Sequence, residues 1–484
     1  MIYSLLIAQL AGCTVGPDYV RPEAKISNEF KESKGWKQAQ PRDTMLSEKW
    51  WEIFNDPRLN KLEEQVASAN QSIIQAEAQY RQAQHLVQSA QSAYFPILNL
   101  TSTASRFRAA SGQSVAVSGV RNLFGVAGSI AWEPDLWGSV RRQVEANTGS
   151  AQASAATLQA LRLSSEATLA DDYFQLKALD AQKALLDETA AAYSRTLQII
   201  KNRYAVGVAA KSDVVQAETQ LESARARAID LGVQRAKLEH AIAVLIGLTP
   251  AELSLSPAPL NIQPPPIPVS LPSELLERRP DIAAAERNIA AANAQIGVAK
   301  AAYYPTLNLA STSGFQSSTL DTLFTAARRY WALGPAGAAL TVFDGGAKNA
   351  QYKQAIDSFD ASVAAYRQTV LTGFQEVEDN LAALRILDEE SQVQDKAVAA
   401  ANLALELTIN QYKAGTVSYL NVMVAQTAAL LNRQTAVQLQ GERLSASVLL
   451  VKAVGGGWNV AMLPSPEQAG GETKWTDYLI LPVE

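Results

Sequence analysis

The stretch 92-SAYFPILNLTSTASRF-107 decides how the chain is read, because it returns as 301-AAYYPTLNLASTSGF-315. Each copy is an aromatic pair, a proline, and then a run that alternates apolar with small polar residues. A second echo lies further on. Asn202-Arg203-Tyr204-Ala205-Val206-Gly207 comes back as Asn410-Gln411-Tyr412-Lys413-Ala414-Gly415, and Gly247 comes back as Gly455. Pro96 and Pro305 stand 209 residues apart, and the tyrosine and glycine pairs each stand 208 apart. One structural unit is used twice, and such a repeat outranks any local motif. The two copies are expected side by side as equivalent pieces of one wall.

The alternating runs predict strands at 97–108 and 122–136 in the first repeat and at 305–317 and 331–343 in the second. Strands of about 9–11 residues cross a bilayer when tilted, although a soluble hairpin has the same pattern. Four strands cannot close a barrel around a lumen, and open edges cannot face lipid, so several chains must pool their strands. Tyr94, Phe95, Trp132, Trp137, Tyr303, Tyr304, Tyr330, Trp331 and Phe343 bracket the runs. They fit the aromatic girdle of a membrane interface, while aromatics also favour strands on their own account.

Long helices follow. After Gly138 no proline occurs until Pro250, which predicts helices at 139–205 and 212–246, with Ser212 or Asp213 as cap. The second repeat predicts 346–413 and 419–454, with Ile356, Phe359, Val363, Tyr366 and Val370 as a coiled-coil seam. The first long helix would reach roughly 100 Å at about 1.5 Å per residue. A rod of that length has to bridge something, and a periplasm is the natural candidate. From Pro57, apolar residues three or four apart (Leu59, Leu62, Val66, Ala69, Ile73) predict a helix to Ala93, stopped by Pro96.

The domain plan is therefore a signal-peptide remnant (1–12), an extended anchored segment (13–57), repeat one (58–256), a seven-proline linker (257–272), repeat two (273–458) and a flexible tail (459–484). Leu10-Ala11-Gly12-Cys13 reads as a bacterial lipobox, which makes Cys13 the lipidation site. A lone cysteine is otherwise a buried free thiol.

The totals remove whole classes of function. Among 484 residues, 42 Lys and Arg stand against 47 Asp and Glu, a net charge of −5. That gives no basic field for nucleic acid. Two histidines and one cysteine leave few ligands for a metal, and neither a metal site nor a cofactor is expected. The carboxylate groups Asp171-Asp172 and Glu376-Val377-Glu378-Asp379 sit in mid-helix and read as solvated or lumen-lining faces, so no catalysis is expected.

Cys13-Thr14-Val15-Gly16-Pro17-Asp18-Tyr19, Leu276-Glu277-Arg278-Arg279-Pro280-Asp281-Ile282 and the closing Gly455-Gly456-Gly457-Trp458 resemble the lipidated branch of the outer-membrane factor family. These are the TolC-like exit ducts of tripartite efflux pumps. The resemblance implies a mixed α and β homotrimer: a twelve-stranded barrel in the outer membrane, a twelve-helix periplasmic α-barrel and an equatorial collar. It implies three further partners, namely outer-membrane lipid, a periplasmic membrane-fusion adaptor and an inner-membrane transporter of the resistance-nodulation-division (RND) class. It puts adaptor contact at the helix tips (Gly207, Val208, Gly415, Thr416) and a gate at Leu420, Asn421, Val424, Tyr412 and Asp213. Relatives commonly carry an aspartate ring one turn beyond the constricting apolar position. Here Val424 takes that place, and the mouth is expected to close on Leu420, with or without Val424. The rival readings are a duct for protein secretion through an ABC exporter and a non-conducting, periplasm-spanning lipoprotein.

Overall fold

The computed structural model describes residues 14–24, 29–32, 49–108, 120–267 and 274–471. Cys13, the segment 1–12 and residues 472–484 lie outside the described residues. The elements come as two matched series. The first holds α1 (Pro57–Ala69), α2 (Gln71–Ser92), β1 (Ile97–Arg108), β2 (Val120–Trp132), α3 (Ser139–Ala205) and α4 (Lys211–Leu245). The second holds α5 (Leu275–Arg278), α6 (Pro280–Ala301), β3 (Thr306–Ser317), β4 (Arg329–Ala339), α7 (Ala347–Lys413) and α8 (Tyr419–Ala453). Counterparts match in length: 22 residues in α2 and α6, 67 in α3 and α7, and 35 in α4 and α8.

The four strands form one antiparallel sheet in the order β1-β2-β3-β4. The centre of the sheet is the joint between the repeats, β2 on β3, and its edges are β1 and β4. Register is regular except for a slip between Leu309 and Ser311. Gly334-Pro335 stands on β4 beside that slip, where a residue without an amide donor is tolerated. Below the sheet α3 pairs with α4 and α7 with α8, and α6 lies between α3 and α7.

Several expectations need correction. The helix predicted to run unbroken from Pro57 to Ala93 is two helices. Asn70 leaves helical geometry (φ −66°, ψ 119°) and its side chain accepts from the amides of Ser72 and Ile73. An asparagine that caps a new helix competes with continuing the old one. The cap of α4 is Ala210, with no side-chain hydrogen bond, rather than Ser212 or Asp213. Strand β2 stops at Trp132, because Pro134 follows and Asp135 turns away to accept from the Val140 and Arg141 amides at the start of α3. Strand β4 stops at Ala339 rather than 343, and Asp344 beyond it accepts from the Gly346 and Lys348 amides where α7 begins. In the seam on α7, Tyr366 and Val370 are buried, but against Ile282 and Ile289 of α6 rather than another long helix.

The segment 459–471, expected to be flexible, is packed. Ala469 is fully buried against Val87 and Ala151, and Gln88 and Gln152 donate to the Gly470 and Pro464 carbonyls at 2.8 and 2.9 Å. The linker is also held down, since Gln440 donates to the carbonyls of Leu260 and Ile262 at 3.0 and 3.1 Å. The main core lies in the collar. There Trp50, Phe54, Leu59 and Val66 pack with Phe174 of α3 and Leu450 of α8.

Candidate functional site: the sheet faces and the helix tips

Directly paired residues of an antiparallel sheet share a face, so the register sorts the strands. One face carries Leu98, Leu100, Val126, Ile130, Phe315 and Leu333, with Trp132 and Trp331 among them. The other carries Asn99, Thr101, Thr103, Ser129, Thr312 and Gln316. The apolar face is open to its surroundings, with Leu100 81% and Leu333 84% exposed. An exposed apolar face backed by a polar one is the arrangement of a transmembrane barrel wall. Among the described residues no helix is long and apolar enough to cross a membrane.

Most of the aromatic candidates gather where strands meet helices. Trp132 donates to the Tyr94 carbonyl at 3.1 Å. Trp137 donates to the Pro305 carbonyl at 2.7 Å and stacks on Tyr304 at 4.8 Å, tying the repeats together. Tyr303 meets Tyr352 edge to face, Phe95 is exposed, and Phe343 is exposed beyond the end of β4. Trp331 and Tyr330 stand at the other end of the sheet, beside the loops.

The first described residues thread into this junction. The Val15 amide donates to the Trp137 carbonyl at 3.1 Å, and Arg142 holds Asp18 at 2.8 Å. Tyr19 donates to Glu286 on α6.

At the far end of the rods the chain reverses twice. Gly207 (φ 76°) and Gly415 (φ 79°) close α3 and α7 in left-handed geometry, which costs glycine little. The Val208 amide returns to the Arg203 carbonyl at 2.9 Å, and the Thr416 amide to that of Gln411 at 3.1 Å. Val208, Gly207, Gly415 and Thr416 are all exposed. A tyrosine cluster that sequence reasoning missed supports the turns. Tyr412 and Tyr419 meet edge to face at 5.9 Å, and Arg203 lies over the Tyr412 ring while donating to the Tyr412 carbonyl at 2.9 Å. Burial pushes the Tyr419 hydroxyl up to about 12, with Tyr193, Tyr412 and Asp213 adding to it. The signal was present in the echo itself, where Arg203 of the first tip answers to Gln411 of the second.

The gate candidates therefore divide. Tyr412 is buried and Asp213 half-buried within the tip, whereas Leu420, Asn421 and Val424 are exposed along one side of α8, with Leu420 52% and Val424 61% exposed.

Members of both acidic clusters have structural partners, while Asp379 stays exposed. Glu376 pairs with buried Arg279 at 2.6 Å, and Glu378 accepts from the Lys31 and Glu32 amides. Asp171 accepts from Ser445 of α8 at 2.5 Å. A further pair lies in the collar. Glu63 of α1 is fully buried with neither carboxylate oxygen hydrogen-bonded among the described residues, and Glu166 of α3 accepts from Trp50 at 3.2 Å. Burial raises Glu166 to about 7, and burial followed by the charge of Glu166 holds Glu63 well above the ordinary carboxylate range.

Comparison with known proteins agrees with this geometry. The family model described as outer membrane efflux protein matches twice, over residues 62–248 and 271–456, once for each repeat. The antibiotic efflux pump outer membrane protein ArpC of Pseudomonas putida is 32% identical over 471 residues, 96% of each chain. The toluene efflux pump outer membrane protein TtgC, also of Pseudomonas putida, matches to the same extent. The solved structure of the outer-membrane channel OprN superimposes with a TM-score of 0.87 at 30% identity, covering 92% of this chain and all of that one. With its tandem helical repeats, its lipid-facing sheet and these matches over nearly its whole length, the chain belongs to the outer membrane efflux protein family.

Proposed function

We propose that this chain is the outer-membrane exit duct of a tripartite efflux pump. It conducts toxic small molecules passively from the periplasmic side to the outside and is not an enzyme. The observation that carries this reading is the joint between repeats. Because β2 of the first repeat pairs with β3 of the second, the same contact can recur between β4 of one copy and β1 of the next. Three copies then supply twelve strands and leave no edge in lipid, as a membrane wall requires.

The periplasmic mouth closes on an apolar ring of Leu420, seconded by Val424, which resists wetting. What supports this is their exposure on α8 and the absence of a carboxylate at either position. The tips around Gly207, Val208, Gly415 and Thr416 contact a periplasmic membrane-fusion adaptor, which hands cargo over from an inner-membrane RND transporter. A lipid on Cys13 anchors each copy. In support, Val15 is bonded to Trp137 at the strand–helix junction, so a chain attached two residues earlier starts at the membrane edge. The cargo class is apolar or amphiphilic toxicants, in keeping with the antibiotic and toluene pumps to which the relatives belong.

The test is accumulation of a fluorescent dye in cells lacking this protein. Accumulation should rise and return to normal on complementation. Unchanged accumulation, together with unchanged drug and solvent susceptibility, would defeat the proposal.

A further inference from the structure

The loop end of the sheet carries Arg106 and Arg108 on β1, Arg121 on β2, and Arg328 and Arg329 at the start of β4. Against these five cations the described residues of that end hold one acid, Asp321. All five arginines are exposed, and none has an ion-pair partner among the described residues.

Their faces differ. Arg106 pairs with Asn122 and Arg108 with Val120, on the face that carries Leu98, Leu100 and Phe124. Arg329 pairs with Phe315, which pairs in turn with Val126 on that same apolar face. Arg121 pairs with Phe107 on the opposite, polar face. Three arginines thus stand on the lipid side, at the rim away from the helices.

The two edge strands hold all three. Repetition of the β2–β3 register at the seam between copies carries the pair Phe124–Ser317 over to Trp331–Arg108, once the slip in β4 is allowed for. Arg329 of one copy then stands just beyond Arg108 of the next, on the same face. Arg106 and Arg108 are two residues apart on one strand, about 7 Å. Three like charges so close, bordering an apolar band, call for a polyanion with its own apolar part. Guanidinium groups match phosphate oxygens in a two-pronged fashion.

We infer that Arg106 and Arg108 of one copy, with Arg329 of its neighbour, form a rim site for the phosphorylated headgroup of an outer-leaflet glycolipid whose acyl chains lie along the neighbour's Trp331 and Leu333, on the same apolar face. The site rests on the barrel reading of the sheet but is independent of what the lumen conducts.

The test uses the purified full-length trimer and two probes in detergent micelles: diphosphorylated lipid A and the same lipid with its phosphates removed. A cation near an anionic lipid surface contributes roughly fivefold in affinity. The phosphorylated probe should therefore bind at least about tenfold tighter, and R106Q/R108Q/R329Q should abolish that difference, while R121Q on the polar face should keep it. Equal binding of the two probes, an unchanged triple variant, or an equal loss in R121Q would each overturn the site. Conductance of the wild type and the triple variant reads the lumen, which Arg106, Arg108 and Arg329 do not face, and so tells a failed lipid site from a failed duct.

Discussion

Asn70 and Arg279 stand 209 residues apart at the same bend of the two repeats, and both reach back to the last carbonyl of the returning helix. The Asn70 side-chain amide donates to Leu245 at 2.8 Å, and the Arg279 guanidinium donates to Ala453 at 3.0 Å. Gly247 and Gly455 answer each other in the same way. A Cβ on Gly247 would lie 2.4 Å from the Ala69 carbonyl, and one on Gly455 would lie 2.0 Å from that of Arg278. The bend therefore imposes two backbone requirements, a donor for the helix-end carbonyl and a glycine against the preceding chain. The side chain that meets the first is free to differ. Asn70 meets it locally, also capping α2. Arg279 extends the same role into a charge network with Glu376 at 2.6 Å and Asp281 at 2.7 Å, which bolts α6 to α7 and α8.

The largest separation between the repeats should come from truncating these two residues. Arg279→Ala removes a buried guanidinium and with it the bonds to half-exposed Glu376 and to the buried Ala453 carbonyl, and should cost about 2–3 kcal/mol, as loss of a hydrogen bond to a charged group together with a buried acceptor left unpaired does. Asn70→Ala, a lost cap and one lost bond, should cost about 1–2 kcal/mol. Thermal unfolding of the detergent-solubilised trimer at a fixed scan rate compares them. Equal losses would show that the network around Arg279 is ornamental.

The glycines sharpen the same comparison from the backbone side. Both have positive φ, 75° for Gly247 and 99° for Gly455. Alanine at either should cost about 1–3 kcal/mol in strain, with Gly455→Ala the worse because its contact is closer. Midpoints in the reverse order would break the equivalence of the two bends.

A third test addresses a feature of the first repeat's collar, the buried pair Glu63 and Glu166. Both folded-state values lie above the ordinary carboxylate pKa of about 4.3. The folded protein thus holds protons that the unfolded chain releases. That stability is fully present below the unfolded value and is lost as pH rises through about 7, where Glu166 titrates. Glu63→Leu removes an unsatisfied buried group and should raise stability at pH 8 by about 1–3 kcal/mol, flattening the decline between pH 5 and 8. A decline as steep as in the wild type would place its cause elsewhere.

Much of the fold was legible because the repeat doubled every signal. Helices of 67 residues without proline, and strands announced by an aromatic pair and a proline, could each be checked against a second copy. What escaped was what single residues decide against the prevailing pattern. Asn70 sits within an unbroken helical periodicity, and its bond to the Leu245 carbonyl, far along the chain, adds to the cap that it forms locally. The packed segment 459–471 has the composition of a tail, but Ala469 fills a gap between Val87 and Ala151 that no local pattern discloses. At the tips, Leu420 and Val424 were singled out by family likeness alone, and the structure adds that both are exposed. The Arg203–Tyr412–Tyr419 cluster that holds the turns depends on contacts between helices, and Tyr412, named as a gate residue, belongs to that cluster.

The contrast at the tips, between buried Tyr412 and exposed Leu420, sets the smallest effect on stability. Leu420 is half exposed, so Leu420→Ser should leave the unfolding midpoint within about 0.5 kcal/mol of wild type. The decisive measurement is single-channel conductance of the purified trimer in a planar bilayer, wild type beside Leu420→Ser. The account predicts a wild-type channel that conducts weakly in its closed state and a variant whose closed-state conductance is clearly raised. No conductance from either preparation would contradict the duct, and equal closed-state conductance would contradict the apolar gate.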